Sequence, residues 1–363
     1  MRNEETGPIC SSEQLESVRQ LVGPDEPALF TVLQQLTKEY DEKTTLHLAK
    51  EFCFMCHSYE SKRVGMEFLY MNGFDEDLQK LIEINCSSND ETSQEWGYVY
   101  QHVLNRRLYK LDYQKNILEF LNEYKTEDLN LQALKLFLRI YSHCDIQDFK
   151  KIEDYHDELT ASLLHIDNTL LRIYFQMREN ELMFHYHWKR NELEIARTYA
   201  FNILDNTLSN YEKKCYTLLC LSQTYIFEGY DKSKEYADRA LRISKEHNLT
   251  YMRQAIEKQV IPFISASNGI YKGVETTEPS EVAHLAIAAG NLDKAIEILS
   301  NFEYLTPFQE YYLGLAKNDK NLLYNSYKRL KEEYQDVFFA NLPLKELKKR
   351  GWDKNEEEVN YVN

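Results

Sequence analysis

From Tyr98 to Glu228 the chain contains neither glycine nor proline, and that gap leaves little besides helices for it to fold into. A sheet-rich fold needs turn residues about every 8–12 positions. A run of about 130 residues without them instead implies helices joined by short polar turns. Over the whole chain, 11 Gly and 7 Pro in 363 residues fall well short of the usual share of roughly 12%. The fold class that follows is all-α.

The hydrophobic pattern divides that helical chain into parts. Residues 1–27 read as a flexible or partly helical tail, with Ser11 or Ser12 capping a run from Glu13 to Leu21 that Gly23-Pro24 stops. Residues 28–90 read as N-terminal helical repeats, in which Pro27 suits the first turn of a helix running to Tyr40. Amphipathic patterns continue at 43–58, 60–71, 75–86, 91–109, 113–123 and 128–143. In the last of these, Leu131, Leu134, Leu138 and Tyr141 have the three-and-four spacing of a buried stripe.

The polar run Asn85–Thr92 precedes a longer region, 91–351, that carries a degenerate repeat. Ala196 and Ala200 share a helix face. Tyr211–Ile243 reads as a hairpin with Leu219, Ser222 and Tyr225 before the turn Gly229-Tyr230-Asp231, and Ser233, Ala237 and Ala240 after it. Val282–Leu299 repeats this around Gly290-Asn291-Leu292-Asp293, and Tyr311–Leu330 does so with Gly314 and Ser326. Small residues flanking aromatics let two helices approach closely, the mark of tetratricopeptide-like hairpins. Such units bury their faces by stacking, which predicts a curved α-solenoid with a concave binding face. Residues 352–363 read as a polar tail.

The net charge of −16, from 43 basic and 59 acidic residues, disfavours a surface built for phosphate backbones. No stretch approaches 18 apolar residues and the N-terminus is polar, so neither a membrane span nor a signal peptide is expected. Seven irregularly spaced cysteines fit reduced thiols in the cytoplasm. Cys53-Phe54-Met55-Cys56-His57 spells a haem-attachment pattern, but with no export signal it reads as a buried helix. The buried-helix reading also sets aside a zinc site there with His47. The cluster His185-Tyr186-His187-Trp188 is aromatic and polar near a helix end, a place for a peptide groove or for ordinary packing. Histidines two apart face different ways on a helix and make a poor shared metal site. No phosphate loop, nucleophile elbow, metal-ligand spacing or cofactor motif is evident, so the chain reads as a binding protein and not an enzyme.

Two segments carry a family resemblance. One is Thr92-Ser93-Gln94-Glu95-Trp96-Gly97-Tyr98-Val99-Tyr100. The other holds Tyr311-Tyr312-Leu313-Gly314, Tyr324-Asn325-Ser326 and Leu342-Pro343-Leu344 with Glu346, Leu347, Lys349 and Gly351. Ile226-Phe227-Glu228-Gly229-Tyr230 lies between them in similar order. Over about residues 28–351 the chain resembles the arbitrium peptide receptors (AimR) of Bacillus phages. The resemblance implies a cytoplasmic regulator of lysis and lysogeny. It would have a helix-turn-helix for DNA, a tetratricopeptide-like solenoid for a short secreted peptide, and a C-terminal helix for homodimerisation.

Three departures shape the expectation. Residues 1–40 leave little room for the helix-turn-helix and hold Arg2, Arg19 and Lys38 against seven acidic residues, the reverse of what a DNA reader needs. Positions where the family carries polar peptide-contacting Asn, Arg and Asn correspond here to His185, Glu212 and Gln223, so a peptide bound here would differ in sequence. The tail Asp353–Asn363 is rich in Asn and Glu where the family's is apolar, which weakens the case for a homodimer by that route. The expected function is a phage or mobile-element receptor for a short peptide or protein, with His185, Trp188, Glu212 and Gln223 as binding residues. The alternatives are a DNA-binding regulator of the same type and a structural adaptor.

Overall fold

The computed structural model describes residues 10–108, 117, 119–146, 148–149 and 151–352. Every regular element among the described residues is helical. The expected helix at 113–123 lies partly outside them, as does the polar tail 352–363. The chain forms two compact units, Met1–Arg178 and Glu179–Asn363. The division falls inside the helix that spans residues 169–189.

The first unit holds α1 (Ser12–Arg19), α2 (Leu29–Glu39), α3 (Glu42–Met55), α4 (Tyr59–Met71), α5 (Asp75–Cys86), α6 (Glu91–Leu108), α7 (Leu129–Asp145), α8 (Lys151–Leu163) and the start of α9 (Thr169–Lys189). Local chemistry sets most of the boundaries. Ser11 caps α1 in a reciprocal capping box with Gln14, and α1 ends at Arg19, ahead of Gly23. Helix α3 stops at Met55, three residues earlier than the pattern implies, because Cys56 is extended and Ser58 caps the next helix. The Glu26 carboxylate accepts from the His57 and Ser58 amides at 2.9 and 2.5 Å, which ties the stretch before α2 to the start of α4. Asp90 takes the Ser93 amide at 2.8 Å at the start of α6 and pairs with Arg63 at 2.7 Å.

Helices α5 and α6 meet backbone to backbone at Gly97. A Cβ there would lie 2.7 Å from Cys86 Sγ, 2.9 Å from the Cys86 amide nitrogen and 3.1 Å from the Ile82 carbonyl oxygen. Two of those three atoms belong to the backbone and cannot move aside cheaply. We expect Gly97→Ala to lower stability by about 1–3 kcal/mol in urea denaturation. Gly23→Ala, with nothing within 4 Å, should leave the midpoint in place. Equal midpoints for the two variants would refute the close approach.

The second unit holds the rest of α9, then α10 (Leu193–Asp205), α11 (Tyr211–Thr224), α12 (Tyr230–Glu246), α13 (Thr250–Ala255), α14 (Ile261–Ser267), α15 (Pro279–Ala288), α16 (Leu292–Leu299), α17 (Pro307–Lys317), α18 (Lys320–Lys328) and α19 (Val337–Lys349). The expected hairpins are α11–α12, α15–α16 and α17–α18. Ser222, Ser233, Ala237, Ala240, Ala295 and Ser326 are fully buried at their seams, and Ala196 and Ala200 on α10 are fully buried too. Gly314 packs against Leu323, whose nearest atoms stand 3.0 Å from where a Cβ would be. Two details differ from the sequence expectation. Tyr230 is already helical, so the α11–α12 turn ends at Gly229, whose φ of +132° suits glycine. In α15 the buried small residues are Ala283 and Ala286, while Ala289 lies at the exposed turn.

Pro262 sits inside a continuous helical run. It has no N–H, so the Lys258 carbonyl four residues earlier loses its donor within the helix. The backbone widens to a π-helical turn over Ile256–Val260, and the Thr276 hydroxyl donates to that carbonyl at 2.5 Å. The proline is accommodated by a bulge and a neighbour, with no break in the helix.

Candidate functional site

Helix α11 begins at Tyr211 because Asn210 caps it, accepting the Lys213 amide at 2.9 Å. Glu212, Tyr216 and Gln223 then follow at i, i+4 and i+11, so one stripe of α11 carries all three over about 16 Å. Glu212 and Gln223 are half-buried, and Tyr216 is 47% exposed. The last turns of α9 face this stripe. The His185 ring lies 6.0 Å from that of Tyr216, and Glu181, one turn earlier, pairs with Lys213. His185, Glu212 and Gln223 are therefore brought onto neighbouring helices, and Tyr216 and the Glu181–Lys213 pair join them.

Burial pushes the His185 imidazole down to about 4, with Glu181 opposing and Lys189 adding to the shift. At neutral pH the ring is uncharged and offers one donor and one acceptor. Because its folded value lies below the ordinary 6.5, the stability it contributes is complete above that value and is lost as the pH falls toward 4. The buried Cys220 thiol is pushed up to about 12 by desolvation, with a hydrogen bond from Tyr216 pulling the other way. It is an inert part of the floor and not a nucleophile.

Trp188 does not share this face. It is 8% exposed and stacks on Phe184 at 5.8 Å. Its edges meet Phe338 and Phe339 at 5.9 and 5.6 Å. It packs behind His185 as part of the core. Residue spacing on α11 could have pointed to Tyr216, one turn from Glu212. No sequence signal marked a second polar cluster in this unit. There the buried His284 stacks on Tyr312 at 4.1 Å, the Tyr312 hydroxyl donates to Glu281 Oε1 at 3.2 Å, and His284 Nδ1 stands 3.5 Å from Glu281 Oε2.

Cys53 and Cys56 are buried, and the Cys56 thiol donates to the Cys53 carbonyl at 3.4 Å. Desolvation raises both thiols, Cys56 to about 12. The His57 side chain is 76% exposed, so the three residues do not converge. Among the described residues, no group of three or more His, Cys, Asp or Glu could hold a metal ion, and no helix is long and apolar enough to cross a membrane.

A family model described as AimR transcriptional regulator-like matches residues 45–349. The chain belongs to that family. It is similar to the AimR transcriptional regulator of Bacillus phage phi3T, at 25% identity over 345 residues, covering 90% of this chain and 86% of the relative. An uncharacterised protein of Bacillus anthracis is also 25% identical, over 237 residues, covering 61% of this chain and 85% of the relative. Among solved structures, phAimR with ligand is 21% identical with a TM-score of 0.74, covering 90% of this chain and 98% of that chain. Selenomethionine phAimR is 20% identical with a TM-score of 0.75, covering 93% of each chain. The family's fold is thus the fold of this chain: all-helical, with tetratricopeptide-like hairpins.

Proposed function

We propose that this protein is a phage or mobile-element regulatory receptor that binds a short peptide on the face shared by α9 and α11. The observation that carries the reading is the polar, half-exposed stripe Glu212–Tyr216–Gln223 set against His185. Polar groups that are held in place yet reach solvent are what a groove needs to read a peptide. Trp188 is packed behind this face, against Phe184. Glu212 gives the stripe an acidic end, so a ligand with a basic side chain or a free amino terminus is favoured over an acidic one.

The test is a positional library of short synthetic peptides, followed by calorimetry on the best binder. Glu212→Arg should weaken that binder by about 1–3 kcal/mol, the value of a charge-assisted hydrogen bond, without moving the melting temperature. Unchanged affinity with unchanged melting would place the site elsewhere. Affinity through His185 should also be flat from about pH 6 to 8, since the ring stays neutral there.

The family description supports a second reading, that of a DNA-binding transcription regulator. Helices α1 to α3 speak against it, because Glu13, Glu16, Glu39, Glu42 and Glu51 outweigh Arg19, Lys38, Lys43 and Lys50 there. We expect no specific mobility shift on phage promoter DNA at about 150 mM salt. A nanomolar, sequence-selective shift would make the second reading the correct one.

A further inference from the structure

Helix α19 holds the second unit together from an unusual position. Its adjacent rings Phe338 and Phe339 meet aromatics from four separate parts of the unit. These are Trp188 on α9, Phe227 beyond α11 at 5.2 Å, Phe263 on α14 at 5.9 Å and Phe308 on α17 at 5.1 Å. One cation fastens its start. The Lys189 ammonium donates to the Tyr334 carbonyl at 3.1 Å and to Asp336 Oδ2 at 3.4 Å. Asp336 in turn caps α19, accepting the Phe339 amide at 2.9 Å.

The approach to this helix is strained. A π-helical turn, Arg329–Glu333, leads into it, and Gln335 sits at φ +47°. The other non-glycine residues with positive φ are Asn191, Asn248 and Asn318, and asparagine tolerates that region far better than glutamine does. The seat itself carries a cost, because the Trp188 indole Nε1 is buried without a hydrogen-bond partner. Burial also pushes the Asp336 carboxyl up, against the pull of Lys189 and of the Phe339 amide. Strain at the connection and an orphaned donor under the helix both favour release, while the aromatic contacts and the Lys189 bridge favour closure.

We propose that α19 is a strap that swings open as one piece about Tyr334–Asp336, with Lys189 as its latch. Opening relaxes Gln335 and gives the Trp188 indole N–H access to water, at the loss of the Phe338 and Phe339 contacts. Lys189 lies one turn beyond His185 on α9, so a ligand that shifts the end of α9 would also bear on the latch. That coupling rests on the peptide-groove reading, but the strap itself does not.

Native-state hydrogen exchange of the full chain under graded urea, read by mass spectrometry, tests the strap. Residues 337–349 and the end of α9 should lose protection together at urea concentrations where 307–328 keep theirs. Lys189→Met should speed exchange in 337–349 by about tenfold and leave 307–328 unchanged. Gln335→Gly, which removes the strain of the closed form, should slow it by about threefold. Exchange of 337–349 only in the global step, or a loss spread equally over 307–328 in Lys189→Met, would make α19 a fixed core helix. If Lys189→Met does not fold, the Gln335→Gly result decides: no slowing refutes the strap.

Discussion

Arg178→Met should cost the first unit about 3–5 kcal/mol, enough to unfold a marginal domain. Arg178 and Glu67 are both essentially without solvent contact. The guanidinium grips the carboxylate with two bonds of 2.7 Å, Nε to Oε1 and Nη2 to Oε2, and the Tyr100 hydroxyl donates to Oε2 at 2.8 Å. Arg178 also stacks over the Tyr70 ring at 4.0 Å, where Arg107 lies at 3.5 Å. Burial raises the Tyr70 phenol, but Arg178 and Arg107 outweigh it and hold the group below its ordinary value. Removing the arginine alone strands a carboxylate in the core with one hydroxyl for company. The pair is worth much less against water than its loss suggests, because burying both charges consumed most of their attraction. The triple variant Glu67→Leu/Tyr100→Phe/Arg178→Met should therefore recover most of the loss in urea denaturation. A single variant within about 0.5 kcal/mol of wild type would show that this pair is hydrated in solution.

The sequence displayed elements more readily than partners. Leu131, Leu134 and Leu138 announce α7 because burial on one helix face imposes a local period, and the capping box of Ser11 and Gln14 is equally local. The small residues Ala237, Ala240 and Ser233 betray the α11–α12 seam for the same reason. What escapes is whatever depends on distant chain. Glu67 looks like one more acidic residue until Arg178, 111 residues later in the chain, closes on it. Trp188 reads in the sequence as groove or as core, and its contacts with Phe338 and Phe339 come from distant chain that no local pattern reveals. Pro262 alone would suggest a break, and the π-helical turn together with distant Thr276 lets the helix continue. In the candidate site, His185, Glu212 and Gln223 came from resemblance to a family. Periodicity could have added Tyr216, but it could not have supplied the Glu181–Lys213 bridge between two helices.

The motif that first suggested the family, Thr92 to Tyr100, is structural, and Trp96→Ala should show it by costing about 3–5 kcal/mol. Trp96 is 2% exposed and stacks on Tyr100 at 5.8 Å. Its indole N–H donates to Asp128 Oδ2 at 2.8 Å. The other oxygen of Asp128 caps α7 through the Asn130 and Leu131 amides at 2.8 and 3.3 Å. One residue thereby fills the core and steadies the cap of the next helix, while Gly97 beside it allows α5 to touch α6. Trp96→Phe keeps most of the volume and loses the hydrogen bond, so its cost should fall to about 1–2 kcal/mol. Asp128→Ala should add about 1 kcal/mol for the lost cap when made in the Trp96→Phe background. The order Ala, then Phe, then wild type in urea midpoint is the expected result. None of these variants should alter peptide affinity at the α9–α11 face while the protein is folded. A Trp96→Phe protein with wild-type stability and weakened peptide binding would instead place this motif in recognition.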